Sequence, residues 1–319
     1  MRWYKVLAIV LGVSGAAIFI ILYLMLATQG IQLAPYVAVI KLEGTISYGK
    51  SLLTPTVITP DEVKDLIDKV INDPLARAVL IVINSPGGSA SASEEIYSMI
   101  LKLSRSKPVI VYCEGVMASG GYYIALPAKT IVASPQCITG SIGAIAVTYD
   151  LSGLLNKLGI NVTVIKSGKF KDVGSPLRKV TKEDIEILRD MVNKTASIFI
   201  ERVLTHRPNV SREVFSARIY MAEEALRYGL IDVVGDLDKA IEIARKEGNL
   251  PPTAPVREIT KPRSLLEILL GGLSSSSKPY VPPLRPGIYY LWIGGIQPYL
   301  NGYLMINTLS VEMQEPSYP

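Results

Sequence analysis

Histidine is almost absent from this chain, because His206 is the only one among 319 residues. A catalytic triad built on histidine therefore has a single candidate base. Its setting, Leu204-Thr205-His206-Arg207-Pro208, predicts a polar loop. With one histidine and two cysteines, the sequence offers no cluster of metal ligands, and we expect neither a metal nor a cofactor.

Cysteine is also scarce. Cys113 and Cys137 both lie in apolar runs with the composition of strands. Nothing in their spacing indicates pairing, so we expect two buried free thiols. A disulfide remains the alternative if the domain lies outside the cytoplasm.

Long runs of like charge are missing. The formal net charge is +5, yet the basic residues are scattered and form no stripe, which argues against a nucleic-acid partner. A hydrophobic fraction of 49% and a charged fraction of 19% indicate a folded chain with a sizeable core.

The N-terminus carries the longest uncharged run, residues 6–27. That length suffices to cross a hydrocarbon core. Arg2 and Lys5 precede the run, and the positive-inside rule then places the N-terminus in the cytoplasm. We expect residues 1–30 to be an uncleaved single-pass anchor in the cell membrane, with the bulk of the chain extracytoplasmic. A cleaved signal peptide is the alternative, although no Ala-x-Ala site follows the run.

Between the anchor and residue 250, apolar strands alternate with amphipathic helices. This pattern predicts an α/β fold with a mainly parallel sheet, in one domain over residues 31–250. The expected strands are at residues 36–42, 78–84, 108–113, 130–133 and 161–165, and the expected helices at 61–72, 91–104, 119–126, 151–158 and 182–204, followed by a helix-turn-strand-helix unit at 222–246.

Residues 251–319 differ in composition, with a proline- and serine-rich linker before an apolar extension. A short helix is expected at residues 265–273. Residues 288–306 are apolar and aromatic but are interrupted by Gly294, Gly295 and Pro298, which favours a packing or interfacial segment over a second membrane span.

Ser119 is the first candidate for chemistry, in Met117-Ala118-Ser119-Gly120-Gly121. The glycines allow a sharp strand-to-helix turn and a close approach of substrate. At a helix start, the N–H groups of Ser119 and Gly120 would be free to stabilise an oxyanion. The alternative is an ordinary N-cap serine.

Two further segments could complete a site. Gly87 and Gly88 follow an apolar strand and could direct another N–H group into the crevice, or form a plain loop. Lys166, Lys169 and Lys171 follow the strand expected at 161–165, and a buried lysine can serve as the base for a serine. The residues alone leave all three lysines open, including as solvated surface groups.

Four motifs in order resemble the signal peptide peptidase A family, membrane-bound serine-lysine proteases of Clp/crotonase type. They cover about residues 36–245 and are Met117-Ala118-Ser119-Gly120-Gly121-Tyr122-Tyr123, Thr139-Gly140-Ser141-Ile142-Gly143, Ser167-Gly168-Lys169-Phe170-Lys171-Asp172, and the closing motif from Ala217 to Asp232. The closing motif departs from the family at Ala217 and Ala222, where glycines are usual.

The resemblance implies a Clp/crotonase-type ββα superhelix and a role for each residue. Ser119 would be the nucleophile and Lys171 the base. Gly120 and Gly88 would supply the oxyanion N–H groups, Gly88 in preference to Gly87, and Ser141 would orient the lysine. The resemblance also implies a homo-oligomeric ring whose active sites are shared between subunits.

The implied substrates are peptides, namely signal peptides left in the membrane after cleavage. A related group of serine-lysine proteases acts on stomatin-like membrane proteins, and this is the first alternative. An acyl-CoA enzyme or a non-catalytic scaffold on the same fold is the second. No acidic pair stands beside the glycine turns, and both Ser119 and Lys171 are present, which argues against the second alternative.

Overall fold

The computed structural model describes Trp3, residues 34–49 and 56–260, and the backbone of residues 287–291. Contacts divide the chain into two units, residues 1–35 and 36–319, and the strands and helices given below belong to the second. Within the described residues, no helix is both long and apolar enough to cross a membrane. The span expected at residues 6–27 and the helix expected at 265–273 lie outside them.

The elements alternate along the chain. The strands are β1 (Tyr36–Glu43), β2 (Thr45–Ile46), β3 (Val57–Ile58), β4 (Ala76–Ser85), β5 (Gly87–Ser89), β6 (Val109–Ala118), β7 (Thr130–Ala133), β8 (Ile138–Gly140), β9 (Ile145–Val147), β10 (Ile219–Met221), β11 (Val233–Val234), β12 (Val256–Glu258) and β13 (Gly287–Leu291). The helices are α1 (Pro60–Asn72), α2 (Ala90–Ser106), α3 (Gly120–Ala125), α4 (Ser152–Lys157), α5 (Lys182–His206), α6 (Ala222–Arg227) and α7 (Leu237–Glu247), with a 3₁₀ turn at Arg212–Ser216.

A mainly parallel sheet forms the centre of the domain, as the sequence predicts. Its order is β10-β8-β6-β4-β1-β12, and β7 pairs with β6 and β11. Only the β10–β8 pair among these strands is antiparallel. The central strands β4 and β6 are buried on both faces, which explains their continuous apolar runs.

Helices cover both faces of this sheet. On one face, α1, α2 and α3 pack over inward-pointing side chains such as Ile81, Ile83 and Val111. On the other face, Ala240 and Ala244 of α7 pack against Val82 and its neighbours. Each fully buried aliphatic side chain contributes about 1.5–3 kcal/mol relative to exposure, so this two-sided core fixes the strand ends that carry the site.

A second sheet has the strand order β3-β2-β5-β13-β9. Its β5 follows β4 directly, and β13 runs antiparallel to both β5 and β9. Between the strand expected at 36–42 and the helix expected at 61–72, the chain forms the two short strands β2 and β3. Two-residue strands have too little alternation to be recognised in a sequence.

Two segments differ from the elements expected from the sequence. Residues 161–165 form no strand and are exposed, with Ile165 at 95%, because no strand of the described protomer pairs with them. Beyond the expected domain boundary at residue 250, β12 pairs with β1 through Val256, Arg257 and Glu258.

Candidate active site

Ser119 lies at the carboxyl end of β6, where the chain turns into α3. Its backbone has φ 53° and ψ −118°, a region that L residues rarely adopt. Such a conformation costs about 1–3 kcal/mol and persists only where the surroundings enforce it. The residue is 1% exposed in the protomer. Its side chain makes no capping hydrogen bond to α3, so the N-cap alternative does not explain it.

Ser141 occupies the equivalent position on the neighbouring strand. It follows β8, and β6 pairs in parallel with β8 so that Ala118 lies opposite Gly140. Ser141 also has a left-handed backbone, with φ 54°. Neighbouring strands lie about 4.8 Å apart, so the two serines stand side by side at one edge of the sheet.

This pairing corrects one expectation. The N–H group of Ser119 donates to the carbonyl oxygen of Gly140 at 2.8 Å and is not free for an oxyanion. The N–H group of Gly120, in the first turn of α3, has no acceptor within the helix. Of the two donors expected at this turn, Gly120 therefore remains.

The glycine turn of β5 approaches the nucleophile from the other side. Ser85 pairs with Met117, two residues before Ser119. A Cβ atom on Gly121 would lie 2.6 Å from the carbonyl oxygen of Ser85, so only glycine permits this approach. The N–H group of Gly87 donates to Ser85 Oγ at 3.2 Å. This bond engages the N–H group of Gly87, whereas Gly88 is the donor that the resemblance implies.

The three candidate lysines differ in their contacts. Lys166 Nζ lies 2.7 Å from Asp172 Oδ1, and Lys169 Nζ lies 3.4 Å from Glu183 Oε1. Lys171 has no ion pair with any described residue. The described ion pairs thus engage Lys166 and Lys169 and leave the Lys171 amine without a carboxylate partner among the described residues.

Asp172 follows Lys171 in sequence but is engaged elsewhere. Its carboxylate accepts hydrogen bonds from Arg178 Nε and Nη2 at 3.0 Å and from Lys166. Arg178 first, and then Lys166, hold the pKa of Asp172 well below its usual range. The carboxylate is therefore engaged by Arg178 and Lys166, and no described hydrogen bond or ion pair joins it to Lys171.

The structure does not bring the proposed nucleophile and base together within one protomer. No hydrogen bond between described residues joins Lys171 Nζ to Ser119 Oγ, and Lys171 is exposed while Ser119 is buried. Lys171 lies in a turn after residues 158–165, an extended and exposed stretch. A dyad between them thus requires another surface to cover the lysine.

His206 does not offer a competing base. It is the last residue of α5, so the expected polar loop is wrong; the helix continues two residues beyond its predicted end at residue 204. Its Nε2 is hydrogen-bonded to the Tyr97 hydroxyl at 2.8 Å. Burial, and then the charges of Arg207 and Arg202, lower the pKa of His206.

Aromatic residues of α3 hold the nucleophile turn in place. The Tyr122 hydroxyl donates to the carbonyl oxygen of Leu230 at 2.8 Å, and burial raises the pKa of Tyr122. The ring of Tyr123 stands edge-on to Phe199 at 4.9 Å. The Tyr123 hydroxyl also donates to Glu94. These contacts fix α3 to α2 and α5.

Sequence reasoning missed part of this bracing. Glu94 accepts from Arg202 at 3.0 Å as well as from Tyr123, and Arg202 lies 5.2 Å from the ring centre of Tyr97. Glu94 and Tyr97 lie in α2, Tyr123 in α3 and Arg202 in α5. No local pattern reports such contacts, although a buried Tyr-Tyr pair at a helix start signals that hydroxyl partners are needed.

Cys113 and Cys137 form a disulfide, so the expectation of two free thiols is wrong. Both residues are fully buried. Their pairing depends on the contact of β6 with the loop before β8, which the spacing of the cysteines does not reveal. The bond ties together the two strands whose ends carry Ser119 and Ser141.

Two family models match this domain. A Clp protease model matches residues 66–137, and a model of peptidase family S49 matches residues 102–251. With Ser119 at the carboxyl edge of a mainly parallel sheet, these matches define a serine-type peptidase.

Three relatives are similar over most of the domain. A candidate protease from Methanocaldococcus jannaschii is 41% identical over 202 residues, which cover 60% of this chain and 65% of the relative. The chloroplastic serine protease SPPA of Arabidopsis thaliana is 34% identical over 248 residues, which cover 75% of this chain and 37% of the relative. A candidate protease from Synechocystis is 34% identical over 209 residues, which cover 64% of this chain and 75% of the relative.

The chain belongs to peptidase family S49, the signal peptide peptidase A family. It spans less than two thirds of the length of the Methanocaldococcus and Arabidopsis relatives.

Proposed function

We propose that this chain is a membrane-anchored serine endopeptidase that uses a Ser119–Lys171 dyad to degrade signal peptides left in the membrane. One observation carries the proposal: Ser119 is held in a strained strand-to-helix turn beside Ser141 at the carboxyl edge of the sheet. Strain of this kind clusters at catalytic turns, and ligands bind at this edge of α/β sheets.

The chemistry is an acyl transfer. Ser119 Oγ attacks the scissile carbonyl carbon, and Lys171 Nζ, in its neutral form, accepts the hydroxyl proton. The N–H groups of Gly120 and Gly88 bind the oxyanion. Lys171 then returns the proton to the leaving amine. Water, deprotonated by the same lysine, hydrolyses the acyl-enzyme and restores Ser119.

The lysine must be covered before it can act as a base, because a solvated amine stays protonated near neutral pH. A neighbouring subunit of a homo-oligomeric ring would supply this cover. The segment around Lys171 supports that arrangement, since its apolar side chains are exposed in the protomer: Leu154 55%, Leu158 64%, Ile165 95% and Phe170 46%. Exposed apolar surface of this extent is typical of an interface.

Two features support an extracytoplasmic position. Residues 6–27 have the length and flanking charges of an anchor with a cytoplasmic N-terminus. The Cys113–Cys137 disulfide is of a kind that persists in oxidising compartments. A peptidase tethered there would meet signal peptides within the membrane, and these substrates are apolar.

Single substitutions test the dyad against matched controls. Lys171→Ala should lower cleavage of an apolar peptide by about 10²–10⁴-fold, the usual loss for a catalytic proton-transfer group. Ser119→Ala should lower it by at least as much, because it removes the attacking oxygen. Lys166→Ala and Lys169→Ala, made in the same segment, should retain most of the activity. Full activity in Lys171→Ala, or equal loss in Lys166→Ala, would overturn the assignment of the base.

Substrate class needs a separate comparison. Signal-peptide fragments should be cleaved in preference to C-terminal peptides of stomatin-like proteins. The reverse preference would keep the dyad but replace the substrate.

A further inference from the structure

Lys171 lies in a long connection between two helices. Within the described residues, no helix or strand lies between the end of α4 at Lys157 and the start of α5 at Lys182. Around Lys171 the backbone forms short turns, in which its N–H group donates to the carbonyl oxygen of Gly168 at 3.2 Å. Such turns shape the segment locally but do not fix it to the rest of the domain. A proposed base needs a fixed position, because proton transfer depends on close alignment.

Arg178 joins this segment to the start of α5. Its Nε and Nη2 donate to the two carboxylate oxygens of Asp172, each at 3.0 Å. Its Nη1 donates to Asp184 Oδ2, and its Nη2 donates to Asp184 Oδ1 at 3.1 Å. Nη1 also donates to the carbonyl oxygen of Lys179 at 3.0 Å. The guanidinium group thus has acceptors for every N–H group that it carries.

Asp184 is a fixed anchor for the Arg178 clamp. It is 2% exposed and is the third residue of α5. Its carboxylate accepts from the N–H group of Thr181 at 3.0 Å, while Thr181 Oγ1 accepts from the N–H group of Asp184 at 3.2 Å. This reciprocal capping box fixes the carboxylate relative to the first turn of the helix. Arg178 therefore ties Asp172 to a rigid element.

We propose that Arg178 is a positioning residue for the proposed base Lys171, because it holds the neighbouring Asp172 against the start of α5. The inference rests on the proposed function, in which Lys171 is the base. The lysine side chain is long and flexible, so its backbone is the part that the domain can hold in place. The hydrogen bonds of Arg178 involve neither β5 nor the Ser119 turn, and the residue acts on the reaction only through Lys171.

The fork of Arg178 is what orients the Asp172 carboxylate. Lys166 also contacts this carboxylate, with Nζ 2.7 Å from Oδ1. An ammonium group donates from one nitrogen on a flexible stem, whereas the planar guanidinium binds both oxygens of a carboxylate at once. Lys166 therefore adds charge to the cluster, and Arg178 sets its geometry.

The test replaces this fork by a single donor. Arg178→Lys keeps a positive charge between the two carboxylates, so neither is left without a partner, but it cannot bind both oxygens of each. The matched control is Arg245→Lys on α7, which also removes a fork, in this case from Nε and Nη2 to the carbonyl oxygen of Ala254. Cleavage of an apolar peptide gives kcat and KM. The affinity for the same peptide is measured in the Ser119→Ala background, and light scattering gives the oligomeric state.

Arg178→Lys should lower kcat by about 10- to 10²-fold, since a displacement of about 1 Å can cost 10²-fold in rate. Peptide affinity and oligomeric state should stay at parental values, and Arg245→Lys should keep parental kcat. Asp172→Asn, which weakens the same fork from its other side, should show the same split between kcat and affinity. Adding Arg178→Lys to Lys171→Ala should not lower the residual cleavage further, because the two residues act as one unit.

Four results would each overturn the inference and leave the dyad standing. These are parental kcat in Arg178→Lys, weaker peptide affinity, loss of the oligomer, or a further loss of cleavage in the Lys171→Ala background. The last three would show that Arg178 supports the groove, the assembly or the fold in general. Full activity in Lys171→Ala is a different result, which would overturn the dyad and the inference together.

Discussion

Ser119 and Ser141 show how the sheet enforces strain at single residues. Ser119 follows Ala118 of β6 and Ser141 follows Gly140 of β8, and these two preceding residues lie opposite each other in the sheet. Both serines have a positive φ close to 54°. This pairing fixes the residue before each serine. The N–H group of Ser119 donates to the carbonyl oxygen of Gly140, and that of Ser141 donates to the carbonyl oxygen of Arg218, so the peptide group before each serine is fixed as well. The strain is thus balanced by sheet hydrogen bonds that a loop could not provide.

Gly88 is a position where one methyl group should disrupt the site. A Cβ atom there would lie 2.0 Å from the carbonyl oxygen and 2.7 Å from the nitrogen of Ile46, both backbone atoms of β2. Gly88→Ala must push β5 away from β2, and we expect a loss of about 1–3 kcal/mol in the free energy of unfolding. Peptidase activity should fall as well, since β5 carries Gly88, the proposed oxyanion donor. Urea denaturation and a peptide-cleavage assay measure the two effects.

Gly49→Ala is the matched control, because no atom of the described residues outside its chain neighbours lies within 4 Å of the added methyl group. It should leave stability and activity close to those of the parent. A Gly88→Ala protein with parental stability would show that β2 and β5 pack less closely than described.

The glycines around Ser119 predict the turn from sequence, because only glycine permits so close an approach to Ser85. The choice of Lys171 is less local. From the residues alone three lysines are equivalent, and the distinction appears only once Asp172 and Glu183 are seen to bind the other two. The Cys113–Cys137 bond is hidden from sequence for the same reason, since it joins segments brought together by strand pairing.

At the scale of elements, long periodic segments are predictable and short ones are not. The helices expected at 61–72, 91–104 and 182–204 each lie within two residues of the observed bounds. The short strands β5, β8 and β9 carry no periodic signal, yet β5 contains Gly88 and β8 contains Gly140. Their pairing partners decide that they are strands, and a partner is a property of the fold.

Helix α5 contains a group that should make stability depend on pH. Burial lowers the folded-state pKa of His206 below its ordinary value of about 6.5. Below about pH 6.5 the unfolded chain protonates at His206 more readily than the folded chain does. The full free energy of unfolding is therefore present above about pH 6.5 and falls as the pH drops through that value. His206→Gln, which does not titrate, should flatten this dependence.

The measurement compares urea unfolding of the parent and His206→Gln at pH 7.5 and 5.5. His206 is the only histidine in the sequence, so no other side chain of that type contributes in this window. If the free energy of unfolding changes equally with pH in the two proteins, the pKa of His206 is not lowered by its burial.

At the scale of the whole molecule, the described protomer keeps the proposed nucleophile and the proposed base apart. Ser119 is buried in the core, while Lys171 lies in an exposed segment with apolar neighbours. No periodicity in a single chain would reveal a site shared between chains. An exposed apolar segment is the physical feature that such sharing predicts, because burying that surface drives association.

A shared site predicts complementation between two inactive proteins. Ser119→Ala and Lys171→Ala should each be inactive alone, but co-assembled in equal amounts they should regain about a quarter of parental activity, as random placement around a ring with head-to-tail contacts gives. Regain occurs because an intact Ser119 in one subunit then meets an intact Lys171 in the next. Peptide cleavage by the co-expressed, co-purified mixture measures it, with Ser119→Ala co-expressed with itself as the control. A mixture as inactive as its components would place both residues of each site in the same subunit, and the exposed segment would then need another role.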